Sequence, residues 1–216
     1  MQRKLSAWIQ LSVAASLAIS IIWEVAQRIS VDRFRPIEYF SYVTIQVGIA
    51  SIFILAATSI AALRGRELPT WVPWAKLFAV TLMTLVALVY NLMLRDWPLS
   101  PLDAGYPWPV IPGELQHVWA PLLIIFDWIL VSGTLQVDWV HIWCIFFYMA
   151  PWTIVTIVIG LVENWYPYWF MNPERVGSWW AVSGYLLAMT VALIGMAALY
   201  VSVGRLSMRK VKAAAN

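Results

Sequence analysis

The sequence predicts an all-α membrane protein, a bundle of six transmembrane helices with both termini in the cytoplasm and no separate soluble domain. Three observations carry that prediction. Of 216 residues, 62% are hydrophobic and only 12% charged, with a mean hydropathy of +0.75, well outside the usual range for water-soluble domains. Several apolar runs reach the roughly 20 residues needed to cross a hydrocarbon core about 30 Å thick. Backbone amides in lipid have to be satisfied within their own segment, so spans of this length are helices rather than strands.

The spans are expected near residues 6–26, 40–63, 74–94, 114–131, 140–160 and 179–203. Arg3 and Lys4 precede the first, but its apolar run over 5–23 exceeds the 7 to 15 residues of a secretory signal core, so an uncleaved helix is expected. Breakers separate the rest. Arg35-Pro36 introduces the second span; Arg64-Gly65 and Leu68-Pro69 precede the third; the run 96–113, with five prolines, leads to the fourth; Ser132-Gly133 and Asn172-Pro173 precede the last two. Many of the fifteen tryptophans, among them Trp23, Trp74, Trp139, Trp165 and Trp179, fall near expected span ends, as in an interfacial belt.

Orientation follows from the basic residues. The N-terminus, the segment with Arg64, Arg66 and Lys76, and the tail with Arg205, Arg209, Lys210 and Lys212 together hold nine of the fourteen, which places these regions in the cytoplasm. Arg28, Arg33, Arg35, Arg95 and Arg175 then lie on the other face. The net charge of +3 becomes a basic rim facing anionic lipid, and no stripe of basic and aromatic residues points to nucleic acid. Cys144 is the sole cysteine, which excludes an intramolecular disulfide.

Polar residues at membrane depth are costly, so they mark candidate sites. Thr44 near the start of the second span and His117 near the start of the fourth are expected at similar depth below the non-cytoplasmic surface, roughly 6 Å and 4.5 Å inside their helices at 1.5 Å per residue. A hydroxyl is a weak nucleophile until a base takes its proton, and imidazole suits that role, so the pair fits acyl transfer. Glu114, one turn before His117, is a candidate to orient the ring; Asp127, ten residues on, is too deep to reach it. Pro121 lacks the amide that would bond the carbonyl of His117 and is expected to kink the helix. Glu24, Asn91, Arg95, Glu163 and Asn164 gather on the same side, as for an outward-opening polar cavity, whereas His141 lies near the opposite surface. The plainer readings are a threonine bonded to its own helix and a histidine that only links helices.

The segments Tyr39-Phe40-Ser41-Tyr42-Val43-Thr44-Ile45-Gln46, Val89-Tyr90-Asn91-Leu92, His117 to Pro121 with Asp127-Trp128, and Trp165-Tyr166-Pro167-Tyr168-Trp169-Phe170 occur in that order. With them the chain resembles the androgen-induced-gene family, in particular its bacterial six-span relatives. It departs from the relatives at Val47-Gly48, where two polar residues are usual, and at Trp169, where proline is usual. Animal members are intramembrane threonine hydrolases that cleave fatty acid esters of hydroxy fatty acids. The resemblance implies that Thr44 is the nucleophile and His117 its base, acting on a lipid ester from the bilayer, with residence in a bacterial inner membrane. Asn91 or Gln46 are candidate oxyanion donors, and Tyr166 joins the possible substrate contacts. No metal and no cofactor is expected. Two alternatives stand beside this reading: a non-enzymatic transporter or small-molecule binder with His117, Asn91, Arg95, Asp127 and Glu163 along its pathway, and a haem-carrying redox protein.

Overall fold

A computed structural model describes residues 2–95, 106–131, 135 and 137–215, without the side chains of residues 2, 210–212, 214 and 215. The turn at Ser132-Gly133 and the first part of the proline-rich run, residues 96–105, lie outside the described residues. Six helices are long and apolar enough to cross a membrane, and the described residues contain no strand. The chain is thus an integral multi-pass membrane protein.

The long helices run further than the sequence expectation. α1 spans Gln2–Ser30 and α9 spans Trp179–Ala215; at 1.5 Å per residue α9 is about 55 Å long and projects beyond the hydrocarbon. The second span is interrupted: a short α2, Pro36–Ser41, ends at Tyr42, which is extended (φ −66°, ψ 130°), and α3 begins afresh over Val43–Leu63. α4, Val72–Val89, passes into a π turn at Tyr90–Leu94. The fourth span is composite, with α5 (Val110–Glu114), a π turn at Leu115–Trp119, and α6 (Ala120–Val131). α7, Trp143–Glu163, ends on left-handed Asn164, and a short α8, Pro173–Val176, precedes α9.

α1, α3, α4 and α6 form the compact half of the bundle, with α9 added against α4. α1 and α3 pack closely along their length, with Gly48 of α3 lying against the Ile21 side chain of α1 and Thr58 meeting Gln10, since lipid tails give apolar helices no preference for each other and packing must supply it. The six spans alternate in direction, so both termini lie at one surface. There Arg3 donates to the carbonyl of Arg66, and Arg205 pairs with Asp138 at 2.8 Å.

Lys76 departs from its expected place in a basic surface segment. It is buried in α4, 2.7 Å from the buried carboxylate of Asp127 on α6. Ser6 and Gln10 of α1 also donate to Asp127, and Thr58 of α3 donates to Gln10 at 2.5 Å. A charge in hydrocarbon persists when it is paired and hydrogen-bonded, so four helices share one neutral cluster. Asp127 therefore has a structural partner in Lys76, and Lys76 drops out of the nine residues that set the charge bias.

Candidate functional site

The break at Tyr42 builds one wall of the site. It frees the carbonyls of Phe40 and Ser41, and these are taken by the Gln46 side-chain amide at 2.7 Å and the Trp152 indole N–H at 2.9 Å. The Tyr42 carbonyl accepts from the amides of Ile45 and Gln46. Val43 and Thr44, the first two residues of α3, have no acceptor within the helix, and Tyr42 offers no side-chain cap. Thr44 thus stands one residue inside its helix, not a full turn inside a longer one. The buried phenol oxygen of Tyr168 faces the Thr44 hydroxyl and the amides of Val43 and Thr44. Burial holds the Tyr168 phenol well above the ordinary range, more than these donors lower it, so it keeps its proton.

The opposite wall is made by two π turns, a form that recurs at functional sites because it rotates side chains out of the helical register. His117 sits in one and Tyr90 in the other, with their rings stacked at 3.9 Å and 16°. His117 Nδ1 lies 2.8 Å from the Gly113 carbonyl. A carbonyl only accepts, so Nδ1 carries the hydrogen and the lone pair of the neutral ring is on Nε2. The orienting partner is this carbonyl rather than Glu114, whose carboxylate pairs with Arg95 at 2.8 Å. The helix opens at His117 itself, before Pro121. The carbonyl of His117, which Pro121 leaves without its α-helical donor, receives the Asn91 amide at 3.4 Å.

Thr44 and His117 line the same two cavities. One, of about 420 Å³, is apolar and runs along α4, α7 and α9 past Val86, Met149, Thr153, Met189 and Leu193. The other, of about 370 Å³, is a polar vestibule edged by Glu24, Arg28, Asn164, Tyr166 and Arg175. Tyr90, Leu94 and Tyr168 also belong to both, so the threonine and histidine stand where an apolar chamber meets a more polar one.

Of the other candidates, Tyr166 borders the vestibule, while Gln46, Asn91, Arg95, Glu114, Pro121, Asp127 and Glu163 border neither cavity. Both hydrogens of the Asn91 amide go to backbone carbonyls, and one of those on Gln46 goes to the Phe40 carbonyl. The sequence alone does not mark Tyr168, Tyr90 or the Gly113 carbonyl as site groups. Tyr168 lay in the quoted Tyr166-Pro167-Tyr168 segment, but its place at Thr44 depends on a tertiary contact 124 positions away in the chain. Glu24 accepts from Tyr39 at 2.8 Å, and Gln116 donates to Ser20 at 2.7 Å, tying α1 to the vestibule wall. Among the described residues no group of three or more His, Cys, Asp or Glu side chains is placed to hold a metal. His141 accepts from the Asp138 amide at 2.8 Å, in the turn that opens the fifth span, near the surface that carries the termini.

Fold and site together define a polytopic α-helical membrane protein in which Thr44 and His117 both line an apolar and a more polar cavity. No family model, curated protein or solved structure matches the chain.

Proposed function

We propose that the protein hydrolyses a long-chain lipid ester within the membrane, with Thr44 as nucleophile and His117 as general base. The observation that carries this reading is the shared position of the two side chains between an apolar cavity and a polar vestibule. An ester placed there has its acyl chain in the first and its carbonyl and leaving alcohol toward the second. The resemblance in the Thr44 and His117 segments points to the same pair, and fatty acid esters of hydroxy fatty acids are one substrate class it suggests.

The chemistry balances on residues present. His117 Nε2 takes the proton of Thr44 Oγ1 as the oxygen attacks the ester carbonyl, and a tetrahedral oxyanion forms. The imidazolium returns that proton to the leaving alcohol, giving an acyl-threonine. Water from the vestibule, deprotonated by the same nitrogen, releases the fatty acid and restores the hydroxyl. The Val43 and Thr44 amides face the Tyr168 oxygen, so the hydrogen beside Thr44 that is offered to an oxyanion is that of the Tyr168 hydroxyl, with the two amides behind it.

The test is fatty acid release from a panel of long-chain esters by purified protein, with Thr44→Ala and His117→Ala beside it. Release by the parent protein and its loss in both variants is the expected result. Unchanged release in both would overturn the site, and lipid binding without turnover in the parent protein would favour a non-catalytic binder. Covalent labelling by a fluorophosphonate probe, present in the parent and absent in Thr44→Ala, gives an independent reading of the nucleophile.

A further inference from the structure

α7 and α9 differ from the other spans. In their most apolar 18-residue stretches only 17% and 22% of residues are buried, against 33% to 44% in the other four. Both pack on α4, yet they make no extended contact with each other. The apolar cavity lies behind this gap. Ala150, Thr153 and Ile154 of α7 and Leu186, Thr190 and Leu193 of α9 line it, with Val86 and Val89 of α4 at the back. Ile154 is 63% exposed and lines the cavity at the same time, which places it at the rim of an opening. On α9 the lining runs over 186–193, about 10 Å of helix at 1.5 Å per residue.

We propose that the gap between α7 and α9 is a lateral portal through which the acyl chain of a bilayer lipid enters the cavity. The gap lies within two membrane spans, so what faces it is hydrocarbon. An alkyl chain suits the lining, which is almost wholly apolar, and Met149 and Met189 add side chains that adapt to its contour. A peptide does not suit it, because its backbone amides and carbonyls would meet no partners. The one polar group placed at the rim of α9, the Thr190 hydroxyl, is satisfied by the Leu186 carbonyl at 2.8 Å, so it opposes no chain. Entry through the polar vestibule would draw every methylene through water, whereas sideways entry keeps the chain in oil throughout. The portal leads to the pair in the ester-hydrolase reading, but acyl entry does not depend on that chemistry.

The test uses the full chain in liposomes containing a phosphatidylcholine with a diazirine at the end of one acyl chain. After irradiation, adducts are mapped by mass spectrometry. Adducts are expected on Leu85 and Leu193, which are buried at the cavity lining, as well as on outward Leu187 and Val191. Adducts confined to the outward residues would overturn the portal. In Thr190→Trp, which plugs the rim, labelling of Leu85 and Leu193 is expected to vanish while Leu187 and Val191 keep theirs; Thr190→Ala is expected to label as the parent does. Persistence of the inner adducts in Thr190→Trp would also reject this route. Hydrolysis separates the two ideas: Thr190→Trp should lower activity on a bilayer-embedded long-chain ester far more than on a dispersed short-chain one. If no Thr44-dependent release occurs with either ester, the hydrolase reading fails while the labelling result stands on its own.

Discussion

Single atoms decide most of what the site can do. The hydrogen on His117 Nδ1 is fixed by the Gly113 carbonyl, and that leaves Nε2 as the basic atom. Tyr168 is the residue least expected from the sequence and the most exposed to test. In Tyr168→Phe the ring and its packing on Phe170 and Tyr42 remain, and only a hydroxyl at Thr44 is lost. If that hydroxyl supports the oxyanion, kcat should fall on the order of 10²-fold with KM little changed, as for other oxyanion donors; an unchanged kcat would remove Tyr168 from that role. Lys76 and Asp127 give a second prediction at this scale. Asp127→Leu strands an ammonium in the core and should destabilise the protein by about 3–5 kcal/mol, whereas the double variant Lys76→Met with Asp127→Leu should recover most of that loss. Thermal unfolding in detergent reads both, and equal damage in the single and double variants would show that volume rather than charge is at stake. Neither pairing was legible in the sequence: Lys76 sat beside a basic loop, and its partner is 51 positions away.

Elements show how local chemistry and tertiary context divide the work. The six apolar stretches were legible because bilayer thickness fixes their length, and Pro121 signalled an irregular helix near His117. The break at Tyr42 was not legible, since Phe40-Ser41-Tyr42-Val43 contains no glycine or proline; it is held by Trp152 and Gln46, which take the carbonyls it frees. The π turn at Tyr90–Leu94 likewise has no breaker and faces its counterpart through the Tyr90–His117 stack. Pro121→Ala restores the amide that an α-helix would give to the His117 carbonyl, so it should favour closing of the π turn and rotate the imidazole off Tyr90. Activity should drop while thermal stability holds or rises, and retained activity would show that the turn is set by neighbouring helices instead. Gly160 tests the vestibule in the same way. A Cβ there would overlap the ring of Tyr166, so Gly160→Ala should displace that ring and change KM more than the reactivity of Thr44 toward a small probe.

The whole molecule separates its two polar features by membrane depth. The Lys76–Asp127 cluster binds α1, α3, α4 and α6 in the half of the bundle nearest the termini, and the cavities open the other half between more loosely packed helices. A rigid quartet beside two helices with little mutual contact lets an interior chamber coexist with a stable fold. Which aqueous compartment the vestibule meets depends on charge. Removing Lys76 from the surface leaves Arg3, Lys4, Arg64, Arg66 and the basic tail at the terminal face, still more than the arginines opposite, so the bias continues to place the termini inside. On that bias the vestibule is expected to face outward. Arg175, exposed at its rim, provides the test: in a Cys144→Ala background, Arg175→Cys in intact cells should react with a membrane-impermeant maleimide without permeabilisation, and a cysteine added after Asn216 should react only once the membrane is opened. The reverse pattern would turn the molecule over and bring the vestibule to the cytoplasm, where any ester it receives would have to come from the inner leaflet.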